Sequence, residues 1–222
     1  MMSFVKKIVL LFLGCICCAT ISAQTHSFQL WTAVEASHEL TNDFSIDFGL
    51  ESRFQQTGAA LKQVSAELGL SYNFMKSFFV GASCEYADKY KKNGYFPVYT
   101  VAGAVGYKKK FGNFKIGIQT KLNLEKNTYL KSPEDEQLGL VDKNKIKVSY
   151  KLSKRLKPSL FVETYHPLEI GSAYRIETVK YGANCAIGFR KNLDLDFGYM
   201  FRHEVVDNEY ISIVNITISK SF

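Results

Sequence analysis

Eight charged residues sit on the polar side of segments whose other positions are apolar: Glu51, Arg53, Glu67, Glu85, Lys121, Lys147, Glu163 and Arg202. Four acids and four bases brought to one level can neutralise one another, and charges removed from water need such partners. Two kinds of chemistry follow. A ring of mixed charge can form a constriction that binds or selects small solutes. The same ring can also be a plug that fills a narrow interior and fixes strand register. Barrels of roughly eight strands fill with side chains and only those of about sixteen leave a wide channel, so the plug is the simpler reading.

Catalytic chemistry finds less support. The histidines are His26, His38, His166 and His203. None lies in a His-x-Ser arrangement, and no Gly-x-Ser-x-Gly elbow occurs. His166 and His203 fall near segment ends without an identified nucleophile. Glu51 and Glu163 have the types of an acid/base pair, but carboxylates among compensating bases are ordinary in a charged interior. Of the five cysteines, Cys15, Cys17 and Cys18 lie in the first 23 residues. Cys84 and Cys185 remain, far apart and outside any Cys-x-x-Cys motif, and read as small apolar fillers. No metal motif, P-loop or dinucleotide fingerprint is present, and no cofactor is expected. Lys108-Lys109-Lys110 and the group Lys151, Lys154, Arg155 and Lys157 surround turns, where solvated charge is the default. No nucleic-acid partner is expected from them.

The elements that must position these residues announce themselves by period-two alternation. Phe44, Ile46, Phe48, Leu50 and Phe54 alternate with Ser45, Asp47, Gly49, Glu51 and Arg53. Val64, Ala66, Leu68, Leu70, Tyr72 and Phe74 alternate with Gln63, Ser65, Glu67, Gly69, Ser71 and Asn73. The stretches 114–125 and 193–202 repeat the pattern. It predicts antiparallel strands with one apolar and one polar face. Eleven segments qualify, roughly 26–39, 43–55, 61–74, 77–90, 96–110, 113–127, 143–152, 157–167, 175–190, 193–206 and 210–222. A twelve-residue strand at about 3.3 Å per residue, tilted near 40°, rises roughly 30 Å, enough to cross a bilayer.

Residues 1–23 read as a targeting segment rather than as fold. Lys6 and Lys7 precede the apolar and small run Ile8–Cys18, and Ile21-Ser22-Ala23 has the form of a cleavage site. A lipoprotein signal ending at Cys15 is the rival reading, with Phe12-Leu13 a poor lipobox. Cleavage would leave residues 24–222 as one domain. Of 28 Lys+Arg and 21 Asp+Glu, it removes only Lys6 and Lys7, giving a net charge of +5.

Connections are expected to alternate. Short turns are predicted at Leu40–Asn42, Met75-Lys76, Phe111–Asn113, Ser153–Leu156 and Lys191-Asn192. Longer loops are predicted at Gln56–Ala60, Lys91–Tyr95, Asn127–Asp142, Pro167–Tyr174 and Val206–Glu209, the longest holding Glu134-Asp135-Glu136. Tyr72, Phe74, Phe78, Tyr107, Phe114, Tyr150 and Phe189 fall near the turns. Phe54, Tyr86, Tyr99, Tyr181 and Phe201 fall toward the loops. Two aromatic levels of this kind form the girdles of outer-membrane barrels. The chain ends in Phe222, preceded at alternate positions by Ile218, Ile216 and Val214. That pattern has the form of the terminal strand read by the outer-membrane barrel assembly machinery.

Gln29-Leu30-Trp31-Thr32, Leu50-Glu51-Ser52-Arg53-Phe54, Lys157-Pro158-Ser159-Leu160-Phe161-Val162-Glu163 and the terminal pair of strands from Asn192 to Phe222 resemble the domain of unknown function 2490 family of Gram-negative outer-membrane barrels. The resemblance implies an outer-membrane location and carries no activity. Bacterial single-chain barrels have an even strand count. The expected fold is therefore an antiparallel transmembrane β-barrel of ten or twelve strands, in contact with outer-membrane lipid. Its working function is a narrow channel for a small solute of unknown identity. The alternatives are a structural or interaction barrel with a charged, plugged lumen, a membrane-embedded enzyme, and a secreted lipocalin-like barrel.

Overall fold

In the computed structural model, residues 26–55, 60–91, 94–128, 138–168, 174–190 and 192–222 are described. The segment 1–23, expected to be a targeting sequence, and the acidic triplet Glu134-Asp135-Glu136 lie outside them. The described residues form eleven strands and no helix: β1 (His26–Glu39), β2 (Phe44–Gln55), β3 (Ala60–Tyr72), β4 (Phe78–Lys91), β5 (Gly94–Phe111), β6 (Phe114–Asn127), β7 (Leu138–Tyr150), β8 (Leu156–Pro167), β9 (Thr178–Arg190), β10 (Leu193–Glu204) and β11 (Glu209–Ser221). Each strand pairs with the next in antiparallel register, and β1 pairs with β11 in parallel to close the barrel. Closure leaves no strand edge unpaired, the hazard that an open sheet of this length would carry.

The strand count departs from the even number expected. Both ends of an even-stranded barrel lie at one rim, and its seam is antiparallel. Here the direction of β1 relative to β11 makes the seam parallel, running from His26↔Tyr210 to Ser37↔Ser221. The first residue of β1 and the last of β11 therefore lie at opposite rims.

Turn chemistry is local and readable. Between Phe111 and Phe114 the chain reverses in two residues, and Gly112 takes φ 58°, which favours a residue without Cβ. Asn192 and Asn208 occupy the same left-handed region at φ 61° and 52°, the conformation asparagine tolerates best among residues with a side chain. Thr41 Oγ1 accepts from the amides of Asp43 and Phe44, and Ser153 Oγ from those of Arg155 and Leu156. These hydroxyls satisfy amides that the ladder leaves over.

The length alternation of the connections is weaker than expected. At the rim holding 40–43, 73–77, 112–113, 151–155 and 191–192, all connections are short. At the other rim only 128–137 and 168–177 are long, while 92–93 is a two-residue link where a loop was expected. The strands run further than turn-forming residues suggest: β4 keeps pairing to Lys91↔Gly94, and β7 starts at Leu138 rather than beyond Asp142.

Side-chain contacts between non-neighbouring strands fix which face is inside. Lys121 on β6 reaches Glu67 on β3 at 2.7 Å, past two intervening strands. Lys180 on β9 lies over the Trp31 ring on β1 at 5.1 Å. Such contacts must cross the interior. Strand register then carries the assignment around the barrel. The outer face holds Phe48, Leu50, Leu68, Leu70, Val101, Val105, Ile118, Leu122, Ile146, Leu160, Val162, Phe197 and Ile218, all exposed. Cys84 and Cys185 are both free thiols on this outer parity.

Candidate functional site

The interior divides by height. In the loop-side half, side chains fill it. Trp31, Phe161, Met200, Ile211 and Ile213 form a buried cluster across β1, β8, β10 and β11, with Ile213 at 0% exposure. The alternation that puts Val214, Ile216 and Ile218 outside puts Ile211 and Ile213 inside, so the inner face of β11 is apolar in this half. Around the cluster, Gln63, Ser65, Ala87, Val98, Thr100 and Asn123 are buried as well.

Cations and rings lock this half. The Arg53 guanidinium lies 4.0 Å from the Trp31 ring centroid, its Nε donates to Glu51 at 2.6 Å, and its Nη1 donates to Gln63 at 3.3 Å. Trp31 Nε1 donates to Gln29 at 2.8 Å. Lys180, buried at 7% exposure, also lies over the Trp31 ring, stands 4.5 Å from the Tyr165 centroid and donates to the Tyr165 hydroxyl. Arg202 pairs with Glu204, which also accepts from Thr178. Lys145 stands 3.9 Å from Glu163. A buried cation costs several kcal/mol unless partners replace water; here aromatic faces and carboxylates supply that replacement.

The eight residues singled out in the sequence occupy inner positions but not one level. Lys147 lies three residues from the turn-rim end of β7, and Arg202 two residues from the loop-rim end of β10. Glu51 meets Arg53, and Glu67 meets Lys121. Glu163 and Arg202 instead pair with Lys145 and Glu204. Glu85 stands beside Glu67 in the register, and Lys147 beside Gly117. Among the described residues, neither Glu85 nor Lys147 makes an ion pair. Sequence reasoning missed Trp31, Lys180, Tyr165 and Glu204, although parity alone places Trp31 in line with Glu35, and Lys180 in line with Thr178.

In the turn-side half the interior opens. A cavity of about 490 Å³ is lined by Glu35, Asp47, Glu67, Lys108, Gln119 and Lys121 among others. A smaller one of about 140 Å³, sharing Glu35, Gly49 and Glu67, leads up to Glu51, Arg53 and Glu85. At the same rim, Lys154, Arg155 and Lys157 line a second pocket with Arg190 and Asp194, and Lys157 pairs with Asp194 at 3.1 Å.

A polar cluster also interrupts the outer face. Asp142 and Asn144 of β7, Thr120 of β6 and Thr164 and His166 of β8 share the outward parity, with Leu122 beside Asp142, Leu124 and Leu140 above, and Ile118, Ile146 and Val162 below. Asn144 Nδ2 and the Tyr174 hydroxyl both donate to Asp142 Oδ2, at 2.8 and 2.9 Å. The Tyr174 ring stacks on His166 at 4.2 Å, and His166 Nε2 lies 2.9 Å from Thr164 Oγ1. His166 Nδ1 and Asp142 Oδ1 are buried with no hydrogen-bond partner. A hydroxyl and an imidazole in contact are two parts of a nucleophilic site, but nothing orients the second ring nitrogen. The sequence did not reveal this cluster because β7 was read as starting after Asp142.

Among the described residues no group of three or more His, Cys, Asp or Glu side chains is placed to hold a metal ion. The family described as "Protein of unknown function (DUF2490)" matches residues 28–209. No curated protein matches the chain.

Proposed function

The chain belongs to the DUF2490 family, and from that premise we propose an outer-membrane barrel whose lumen is closed in its loop-side half and open as a vestibule at the turn rim. The observation that carries this reading is the inside-out distribution of side chains. Exposed Leu, Ile, Val and Phe cover the outside, and ion pairs lie within. A secreted barrel would bury its apolar face, and an exposed apolar surface of this extent calls for a nonpolar environment. Two levels of outward aromatic pairs border the apolar band. Phe44–Tyr72, Phe78–Tyr107 and Phe114–Tyr150 stand at the turn rim, at 6.4, 5.0 and 4.7 Å between centroids. Tyr86–Tyr99, Tyr90–Tyr95 and Tyr181–Phe201 stand toward the loop rim, at 5.4, 5.3 and 5.5 Å. From Phe78 to Tyr86 along β4 the rise is roughly 20 Å, and to Tyr90 roughly 30 Å, which brackets the apolar band of a membrane barrel. Tyrosine at both borders suits the headgroup level.

The buried state of Trp31, Phe161, Lys180 and Ile213 favours a lumen that water does not traverse, and so a filled barrel over a through-channel. Spin labels at Leu68, Ile116, Ile118, Leu195 and Phe197 test the membrane reading. They should be accessible to oxygen in lipid and shielded from water-soluble quenchers, and the reverse pattern would remove the basis for membrane placement. Planar-bilayer recording tests the closed lumen. The expected result is no steady ion current, and a stable open conductance would restore the channel.

A further inference from the structure

The charges of the turn-side vestibule are sorted by strand. Its inner positions on β10, β1, β2 and β3 carry Asp194, Asp196, Glu35, Asp47 and Glu67, and no base. Those on β5, β6 and β7 carry Lys108, Lys115, Lys121, Lys145 and Lys147, and no acid. The barrel thus carries an acidic arc and a basic arc, and Glu35, Asp47 and Glu67 of the one line a single cavity with Lys108 and Lys121 of the other. Among the described residues Glu35, Asp47, Asp196 and Lys147 make no ion pair. Their charges are therefore not consumed by the fold, unlike those of Arg53, Glu163 or Arg202 above.

Small residues keep the space between the arcs clear. Gly49, Gly69, Gly81, Ser71, Ser83 and Ala104 line the larger cavity, and a Cβ built on Gly49 would meet nothing within 4 Å. One side chain already spans the gap: Lys121 extends from the basic arc to Glu67 on the acidic one. Charge walls facing each other across a low-dielectric cavity set up a transverse field, and a solute carrying both signs at its two ends is the species oriented by it. A simple anion or cation gains at one wall and is not held by the other.

We propose that the vestibule binds small zwitterions, with an ammonium end on Glu35 and Asp47 and a carboxylate end on Lys108. This rests on the closed-lumen reading above, because a sealed upper half makes the vestibule a terminal site rather than a passage.

The test uses the full barrel folded in detergent micelles, titrated calorimetrically with triglycine, N-acetyltriglycine and triglycinamide. Triglycine should bind saturably with a dissociation constant of about 1 mM or tighter, and capping either end should weaken it by about tenfold or more. Gly49→Leu, which fills the cavity without meeting other atoms at its Cβ, should abolish binding while leaving unfolding unchanged. The paired change Glu35→Gln with Asp47→Asn should weaken triglycine and leave N-acetyltriglycine unaffected. Equal affinity for the three peptides, no saturable binding by the folded wild type, or full binding by Gly49→Leu would each overturn the proposal. The spin-label and conductance results are read separately. Selective triglycine binding by a barrel that fails to enter lipid would refute the membrane reading and leave the zwitterion site standing.

Discussion

Arg53 joins three interactions that a truncated side chain would break together: the bond to Glu51, the bond to Gln63 and the contact with the Trp31 face. The pair is partly open, with side-chain exposures of 25% and 28%. The full penalty of a dry buried charge therefore does not apply. Arg53→Ala is expected to cost about 1–3 kcal/mol, read as a lowered denaturant midpoint in micelles, with Arg53→Lys recovering only part because a point charge cannot fork to two acceptors. An unchanged midpoint would mean that water replaces the guanidinium without loss. At this scale the sequence was informative about faces and poor about partners. Parity put Glu51, Arg53, Glu67 and Lys121 on one side, since each side chain alternates with period two. It could not say that Glu163 meets Lys145 or that Arg202 meets Glu204. Those pairings depend on how neighbouring strands are staggered, which no single strand encodes.

The strands themselves were largely legible, and the exceptions have physical causes. Eleven segments read from alternation correspond to eleven strands, with ends displaced where tyrosines and lysines carry pairing through to β4–β5. The odd count was discounted because bacterial single-chain barrels have an even number of strands, and nothing in the local pattern of β1 or β11 encodes their mutual direction. Close packing between elements is likewise invisible in one strand. Gly182 on β9 faces Met200 on β10, and a Cβ there would lie 2.6 Å from the Tyr199 carbonyl oxygen and 2.7 Å from the Met200 Cβ. Both are rigid parts of the neighbouring strand. Gly182→Ala should therefore force β9 and β10 apart and cost about 1–3 kcal/mol by urea unfolding. Gly49→Ala, with open space at its Cβ, serves as the silent comparison. Equal stability of the two variants would show that the sheet yields freely at Gly182.

For the whole molecule, the last strand bears on assembly as well as on stability. The Phe222 amide bonds to the Ser37 carbonyl at 2.9 Å, while its ring is 60% exposed beneath Lys220 at 4.3 Å. Burying one aromatic contributes about 1.5–3 kcal/mol at most, and less for a ring this exposed. Deleting Phe222 should thus reduce the amount of barrel inserted in cells far more than it lowers the unfolding midpoint of protein refolded in micelles. Equal loss in both measurements would place its role in the fold and not in recognition by the assembly machinery. The parallel seam has another consequence, for topology in the chemical sense. Because β1 begins at the rim where β11 does not end, a backbone cyclised through those two points must climb the height of the wall. That is roughly 30 Å, or about nine extended residues. Such a linker would have to thread the filled interior or lie across the apolar exterior. Circular permutation with a short joint, straightforward in an even-stranded barrel, is closed to this one, so its strand order can be read from only one starting point.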